Sequence, residues 1–68
     1  MAGKKRLNEG ILKAIEVAGS QGALAKLLGV TQPAVSYWLK GKCPPDRAIE
    51  IEEATRVSRE MIRPDLFA

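Results

Sequence analysis

The fold of this chain is decided by residues 21–40, which have the sequence QGALAKLLGVTQPAVSYWLK. This stretch predicts two short helices joined by a tight turn. Ala25 supplies the small side chain that two steeply crossing helices need where they meet. Gly29 adopts the left-handed conformation of such a turn without a Cβ penalty, and Val35 is a buried aliphatic anchor for the second helix. The stretch is therefore typical of a helix-turn-helix, whose second helix can enter a DNA major groove.

Capping residues and helix-ending residues on both sides of this unit predict further short helices. The first predicted helix, 9–18, lies between Asn8 and Gly19, and the second, 21–28, follows Ser20. The third follows Thr31 and runs to Lys40, before Gly41, and the fourth, 46–55, follows Pro44 and Pro45. A last turn runs from Ser58 through Ile62, and Pro64 prevents it from continuing. The alternation of half-buried strands is absent. The expected fold is therefore all-α, a compact bundle of about five short helices.

Apolar residues recur in these helices at the three- and four-residue steps of a buried stripe. The positions expected to face the core are Ile11, Leu12, Ile15 and Ala18, then Leu24, Ala25 and Leu28, then Val35, Trp38 and Leu39, and finally Ala48, Ile49 and Ile51. Val30 is expected to fold back on Ala25. The apolar tail residues Met61, Ile62, Leu66 and Phe67 either cover this core or pair with a second copy, and the sequence leaves both open.

Length and composition limit the class of protein. The 68 residues predict a single domain, 1–68, and no run approaches the roughly 20 apolar residues of a membrane span. The start lacks the apolar stretch of a signal peptide, so we expect a cytoplasmic protein, associated with the nucleoid when bound to DNA. There is no histidine and one cysteine, Cys43, which we expect to be a free reduced thiol, the alternative being a bridge between two subunits. We therefore expect no metal, no cofactor, no small-molecule substrate and no enzymatic activity, and interpret Glu50, Glu52 and Glu53 as a solvated helix face.

The positive charge lies in the half of the chain that contains the helix-turn-helix. Residues 1–42 hold seven Lys or Arg against two acidic residues, whereas the rest holds four Arg against six acidic residues. The front half therefore carries +5 and the remainder −2, as expected of a surface that faces phosphates. We expect residues 1–6, with Lys4, Lys5 and Arg6, to be a disordered basic terminus, the alternative being an arm that contacts phosphate.

The outward residues of the third helix have side chains suited to contacts with DNA bases. Gln32 can present its amide to adenine, and Ser36 can donate or accept a hydrogen bond at several bases. Pro33 or Ala34 can meet a thymine methyl, and Tyr37 can reach either a base edge or a phosphate. The predicted base-reading residues are Gln32, Pro33, Ser36 and Tyr37. The predicted phosphate-binding residues are Gln21, Lys26, Thr31, Lys40 and Lys42.

The motif residues resemble the helix-turn-helix of the Cro family of phage repressors, and in particular its prophage YdaS-like branch. The residues that carry the resemblance are Gln21, Ala25, Leu28, Gly29, Val30, Gln32, Ala34 and Val35, and the stretch from Ala48 to Phe67, with IEEAT and RPDLF, extends it over nearly the whole chain. The resemblance implies a lambda-repressor-like bundle, and a cytoplasmic transcriptional repressor that binds an operator in double-stranded DNA as a homodimer. Pro33 and Tyr37 depart from the residues common in the family, so the operator sequence is not transferred.

A protein-binding module is the alternative function. Some members of the YdaS-like branch are described as toxins, so the helical fold would then recognise a protein, as in a toxin or an antitoxin of a prophage. The two functions differ in one observable. A protein-binding module should select no shared palindrome from random duplex DNA, whereas an operator-binding protein should.

Overall fold

The structure, a computed structural model, describes residues 7–41 and 43–67. Within these residues the chain forms only helices, which confirms the all-α prediction. The six helices are α1 (Glu9–Ala18), α2 (Gln21–Leu28), α3 (Gln32–Leu39), α4 (Pro45–Thr55), α5 (Arg59–Ile62) and α6 (Pro64–Phe67). Nowhere in the described ranges is a helix long and apolar enough to cross a bilayer. The predicted disorder of residues 1–6 lies outside the described residues.

Side-chain caps set the starts of three helices. The Asn8 side chain accepts a hydrogen bond from the Ile11 N–H at 3.1 Å, and the Ser20 hydroxyl accepts one from the Ala23 N–H at 3.0 Å. Ser58 caps α5 in the same way. These bonds satisfy amides that have no partner within the helix, so the predicted caps of α1, α2 and α5 are confirmed.

The predicted α3 and α4 differ from the structure, since α4 begins at Pro45 rather than at residue 46. Thr31 precedes α3, but its side chain makes no capping hydrogen bond, and the helix ends at Leu39 rather than Lys40. Helix α5 ends at Ile62, as predicted, and the sequence analysis missed the additional helix α6 that starts at Pro64. Proline is tolerated in a first turn, where its missing N–H would have no intrahelical partner.

The turn between α2 and α3 has the predicted geometry. Gly29 has φ 72°, in the left-handed region, and the Val30 N–H donates to the Ala25 carbonyl at 2.9 Å. Ala25 is buried, and Val30 is partly buried against the core. This closure of α2 directs the chain into α3 within three residues.

The core lies where α1 to α5 meet. Its buried apolar residues are Ile11, Ala14, Leu24, Ala25, Val35, Trp38, Cys43, Ala48, Ile51, Val57 and Ile62. Two predicted core positions were wrong: Leu12 is 40% exposed, with Ala14 buried instead, and Ile49 is only half-buried and does not belong to the core. The inward stripe of α1 therefore consists of residues 11, 14, 15 and 18, which is the alternative three- and four-residue series.

The apolar tail is divided between the core and the surface. Ile62 is buried and Phe67 packs partly buried against the core, whereas Met61 and Leu66 are exposed. The guanidinium of Arg59 lies 5.6 Å from the centre of the Phe67 ring and adds a cation–π contact. Part of the tail therefore covers the molecule's own core.

Arg63 fastens the C-terminal turn to the loop after α3. It donates one hydrogen bond to the Cys43 carbonyl at 2.6 Å and two to the Asp65 carboxylate, at 3.0 and 2.7 Å. The hydrogen bonds from Arg63 hold the pKa of Asp65 below its usual value. The thiol of Cys43 itself is buried in the described chain.

Helix α5 lies directly against the first turn of α1. A Cβ on Gly10 would lie 2.7 Å from both the Ile62 backbone nitrogen and the Met61 carbonyl carbon, closer than side chains approach. The neighbouring Asn8 joins three elements. Besides capping α1, its side-chain amide donates to the Ile62 carbonyl at 3.0 Å and its backbone N–H donates to the Leu39 carbonyl at 2.8 Å.

We expect Asn8→Ala to lower the free energy of unfolding by about 2 kcal/mol, because it removes both the cap and the bond to Ile62. Urea unfolding measures the loss. Ser20→Ala is the matched control, because it removes an exposed cap alone and should cause a loss of about 1 kcal/mol. Equal losses in the two variants would show that the contact with Ile62 contributes nothing.

Candidate nucleic-acid interface

One side of α3 packs into the core and the opposite side is free. Val35 and Trp38 are buried, at 0% and 5% exposure, and so fix the inward side. We use the term exposed face of α3 for the outward residues at the other positions. These are Gln32, Pro33, Ser36, Tyr37 and Lys40, of which Ser36 is half-buried and the others exposed.

Three of the four predicted base-reading residues lie around one open cavity of about 420 Å³, together with Gln21 of α2. The three are Gln32, Pro33 and Ser36. Gln32 and Ser36 are one helical turn apart, so they are neighbours on the helix surface. The cavity is thus formed where the first turns of α2 and α3 meet. Tyr37, 60% exposed, lies outside its lining.

The fold makes no use of the polar side chains on this face. In the part of the chain that the structure describes, the side chains of Gln21, Gln32 and Ser36 donate and accept no hydrogen bond within the protein. By contrast, the buried hydroxyl of Thr55 donates to the Ile51 carbonyl. An amide whose donor and acceptor are both available can form the paired hydrogen bonds that recognise a base edge.

The charge around α2 and α3 has one sign. No acidic residue lies between Glu16 and Asp46 in the sequence, a range that contains Lys26 and Lys40, both exposed. On the C-terminal elements, three of the six acidic side chains are paired with arginine. Arg47 bonds to Glu50 at 2.7 Å, and Arg59 bonds to Glu52 at 2.5 Å. The α2–α3 side is therefore the part of the surface that favours a polyanion.

The predicted phosphate-binding residues are distributed around the exposed face of α3. Gln21 lines the cavity beside it, Thr31 is exposed just before it, and Lys26 and Lys40 lie exposed outside the cavity. Because the Thr31 hydroxyl makes no cap, it is available to another partner. The predicted contact by Lys42 falls outside the described residues. The phosphate roles stay predictions.

Gly22 is a neighbour of the cavity that the sequence did not single out. A Cβ on this exposed residue would lie 3.6 Å from the terminal amide of Gln32. The sequence does not predict this proximity, because it depends on how α2 crosses α3. It shows only that a glycine stands inside a short helix, where alanine would be more stable.

Comparisons with known proteins show which family the chain belongs to. The family model for the bacterial toxin YdaS matches residues 11–68. The chain is 44% identical over 66 residues to a protein named "Putative transcriptional regulator YdaS" from Escherichia coli (strain K12), a match that covers 91% of this chain and 67% of the relative.

Among solved structures, the chain is similar to the Cro protein from "putative prophage element Xfaso 1" of Xylella fastidiosa strain Ann-1. The TM-score is 0.80 and the sequence identity 44%, with 87% of this chain and 95% of the other covered. The predicted resemblance is therefore confirmed at the level of sequence and of fold. With a family match over most of its length, this chain belongs to the YdaS family, and its fold is that of a prophage Cro protein.

Proposed function

We propose that the protein is a sequence-specific transcriptional repressor that binds double-stranded DNA through α3. The observation that carries the proposal is the set of polar groups on the exposed face of α3 that make no hydrogen bond within the described protein, in a stretch of sequence, residues 17–45, without acidic residues. Two comparisons support the proposal: the similarity of the fold to that of a Cro protein, and the 44% sequence identity to a protein named as a transcriptional regulator. The proposal implies a single DNA-binding domain that works in the cytoplasm, where bacterial DNA lies, and that catalyses no reaction.

The base-reading residues have distinct proposed roles. Gln32 forms paired hydrogen bonds to adenine, Pro33 packs on a thymine methyl, Ser36 bonds to an adjacent base, and Tyr37 reaches a further base edge. These contacts set the sequence preference. Phosphate contacts by Gln21, Lys26, Thr31, Lys40 and Lys42 set the position on the duplex and the overall affinity.

We further propose that two copies bind a near-palindromic operator. Reader helices of a dimeric helix-turn-helix protein occupy successive major grooves, about 10 base pairs apart. Blocking of transcription then follows from occupancy of the site. Selection of bound sequences from a random duplex pool tests the proposal, because a dimer should recover a sequence with two-fold symmetry at this spacing.

We expect Gln32→Ala to weaken binding to the selected sequence by about 1–3 kcal/mol and to relax preference at one base pair, because a bidentate contact is lost. Competition binding with each substituted duplex measures both effects. Random duplex should bind with almost unchanged affinity.

Lys40→Ala is the contrasting variant, because it removes a charge and no base contact. It should weaken binding to every sequence alike and reduce the dependence of log affinity on log salt by about 1. Equal losses on selected and random duplex for Gln32→Ala would count against its assignment as a base-reading residue.

A protein-binding function is the second candidate, and the family description as a bacterial toxin favours it. The exposed apolar side chains of Leu7, Met61 and Leu66 are the kind of surface that such a partner would cover. The selection experiment separates the two functions. Recovery of no shared sequence would support the protein-binding function and overturn the repressor.

A further inference from the structure

The glycine at position 22 is not required by the backbone. Gly22 lies within α2, and its φ is outside the left-handed region that favours glycine. Among the described residues, apart from the two adjacent in the chain, a Cβ there would have two side-chain neighbours within 4 Å, the terminal amide of Gln32 at 3.6 Å and the Ser20 hydroxyl at 3.9 Å. Both are ordinary van der Waals distances, so the fold would accept alanine.

A side chain at position 22 would occupy the space next to the Gln32 amide. Gln32 is exposed and its amide makes no hydrogen bond in the described part of the protein. Of the atoms that border a Cβ at position 22, that amide is the nearest. The size of residue 22 therefore limits the orientations that Gln32 can adopt.

We propose that Gly22 is a positioning residue that sets the base preference of Gln32. The inference rests on the function proposed above, since it assigns a determinant within the same DNA-reading surface. Without a side chain at position 22, the Gln32 amide can lie back over the first turn of α2, next to Gln21 in the wall of the cavity. A longer side chain occupies that position and turns the amide away.

Side chains of increasing size at position 22 should therefore have different effects on the orientation of the Gln32 amide. Alanine adds one carbon at contact distance and leaves the Gln32 amide in place. Leucine adds carbons beyond the Cβ and displaces the amide, while its high helix propensity preserves α2. Ala54→Leu is the matched control, because Ala54 is an exposed position in α4 and receives the same side chain.

The experiment selects bound sequences from a random duplex pool with the full-length chain and its Gly22→Ala, Gly22→Leu and Ala54→Leu variants. We expect Gly22→Ala and Ala54→Leu to select the same sequence as the unmodified chain. Gly22→Leu should change the preference by about fivefold or more at the base pair that Gln32→Ala relaxes, and nowhere else. Its affinity for random duplex should be unchanged.

A double variant supplies a readout that a purely structural role would not move. When Gln32 is already alanine, Gly22→Leu should have no further effect at that base pair. The inference is overturned if Gly22→Leu selects the unmodified sequence, or if its effect persists without the Gln32 amide. If the unmodified chain selects no shared sequence, the repressor function itself fails, and the inference fails with it.

Discussion

Gly10→Ala is expected to lower the free energy of unfolding by about 1–3 kcal/mol, the range for an overpacked core. The added carbon would meet the backbone of Met61 and Ile62 at 2.7 Å, and backbone cannot turn aside as a flexible side chain can. Helix α5 must therefore move away from α1. The loss exceeds the gain of up to about 1 kcal/mol that alanine brings to a helix. Thermal unfolding measures it, and the melting temperature should fall by on the order of 10 °C.

The same substitution at Gly22 is the control for this prediction. Both glycines are helical, but a Cβ at Gly22 has its nearest neighbour at 3.6 Å. Gly22→Ala should therefore raise the free energy of unfolding, by up to about 1 kcal/mol. If alanine stabilised the protein at both positions, the close approach of α5 to α1 would be wrong.

The stability of the protein is expected to fall between pH 9 and pH 11 because of Cys43. Burial raises the pKa of this thiol from 9.0 to about 11, against the opposing charges of Arg63 and Arg47. Above pH 9 the thiol of an unfolded chain loses its proton, whereas the folded chain keeps it, so unfolding releases a proton and alkali favours it. The contribution of the Cys43 thiol to the free energy of unfolding is complete below pH 9 and is lost as the pH approaches 11. Two pKa units correspond to about 3 kcal/mol.

Cys43→Ser isolates this titration, because the serine hydroxyl does not ionise in the same pH range. Urea unfolding at intervals from pH 8 to pH 11 gives the free energies to compare. The advantage of the unmodified chain over Cys43→Ser should shrink steadily above pH 9. A constant difference across the whole range would contradict the raised pKa.

The sequence was most informative where structure is set by near neighbours in the chain. The bounds of α1 and α2 were predicted correctly, because Asn8, Ser20 and Gly29 act through bonds and conformations within a few residues. The choice between Leu12 and Ala14 as a core residue was different. Both fit a helical stripe, and only the position of the packed neighbours decides between them.

The same distinction applies to the candidate interface. The outward direction of Gln32 and Ser36 followed from the spacing of the buried residues on α3, which is a local property of a helix. The closeness of Gly22 to Gln32 depends on the crossing of α2 and α3, and that of Gly10 to Ile62 on a contact between opposite ends of the chain. Neither leaves a periodic signal in the sequence.

The three bonds of Asn8 have a consequence for how the molecule loses its structure. The cap of α1 is local, but the other two bonds of Asn8 form only when the ends of α3 and α5 are docked against it, since they go to Leu39 and Ile62. Detachment of either end leaves polar groups unpaired at the start of α1. We therefore expect the helices to melt together, as one all-or-none event, rather than peeling away from a terminus one after another.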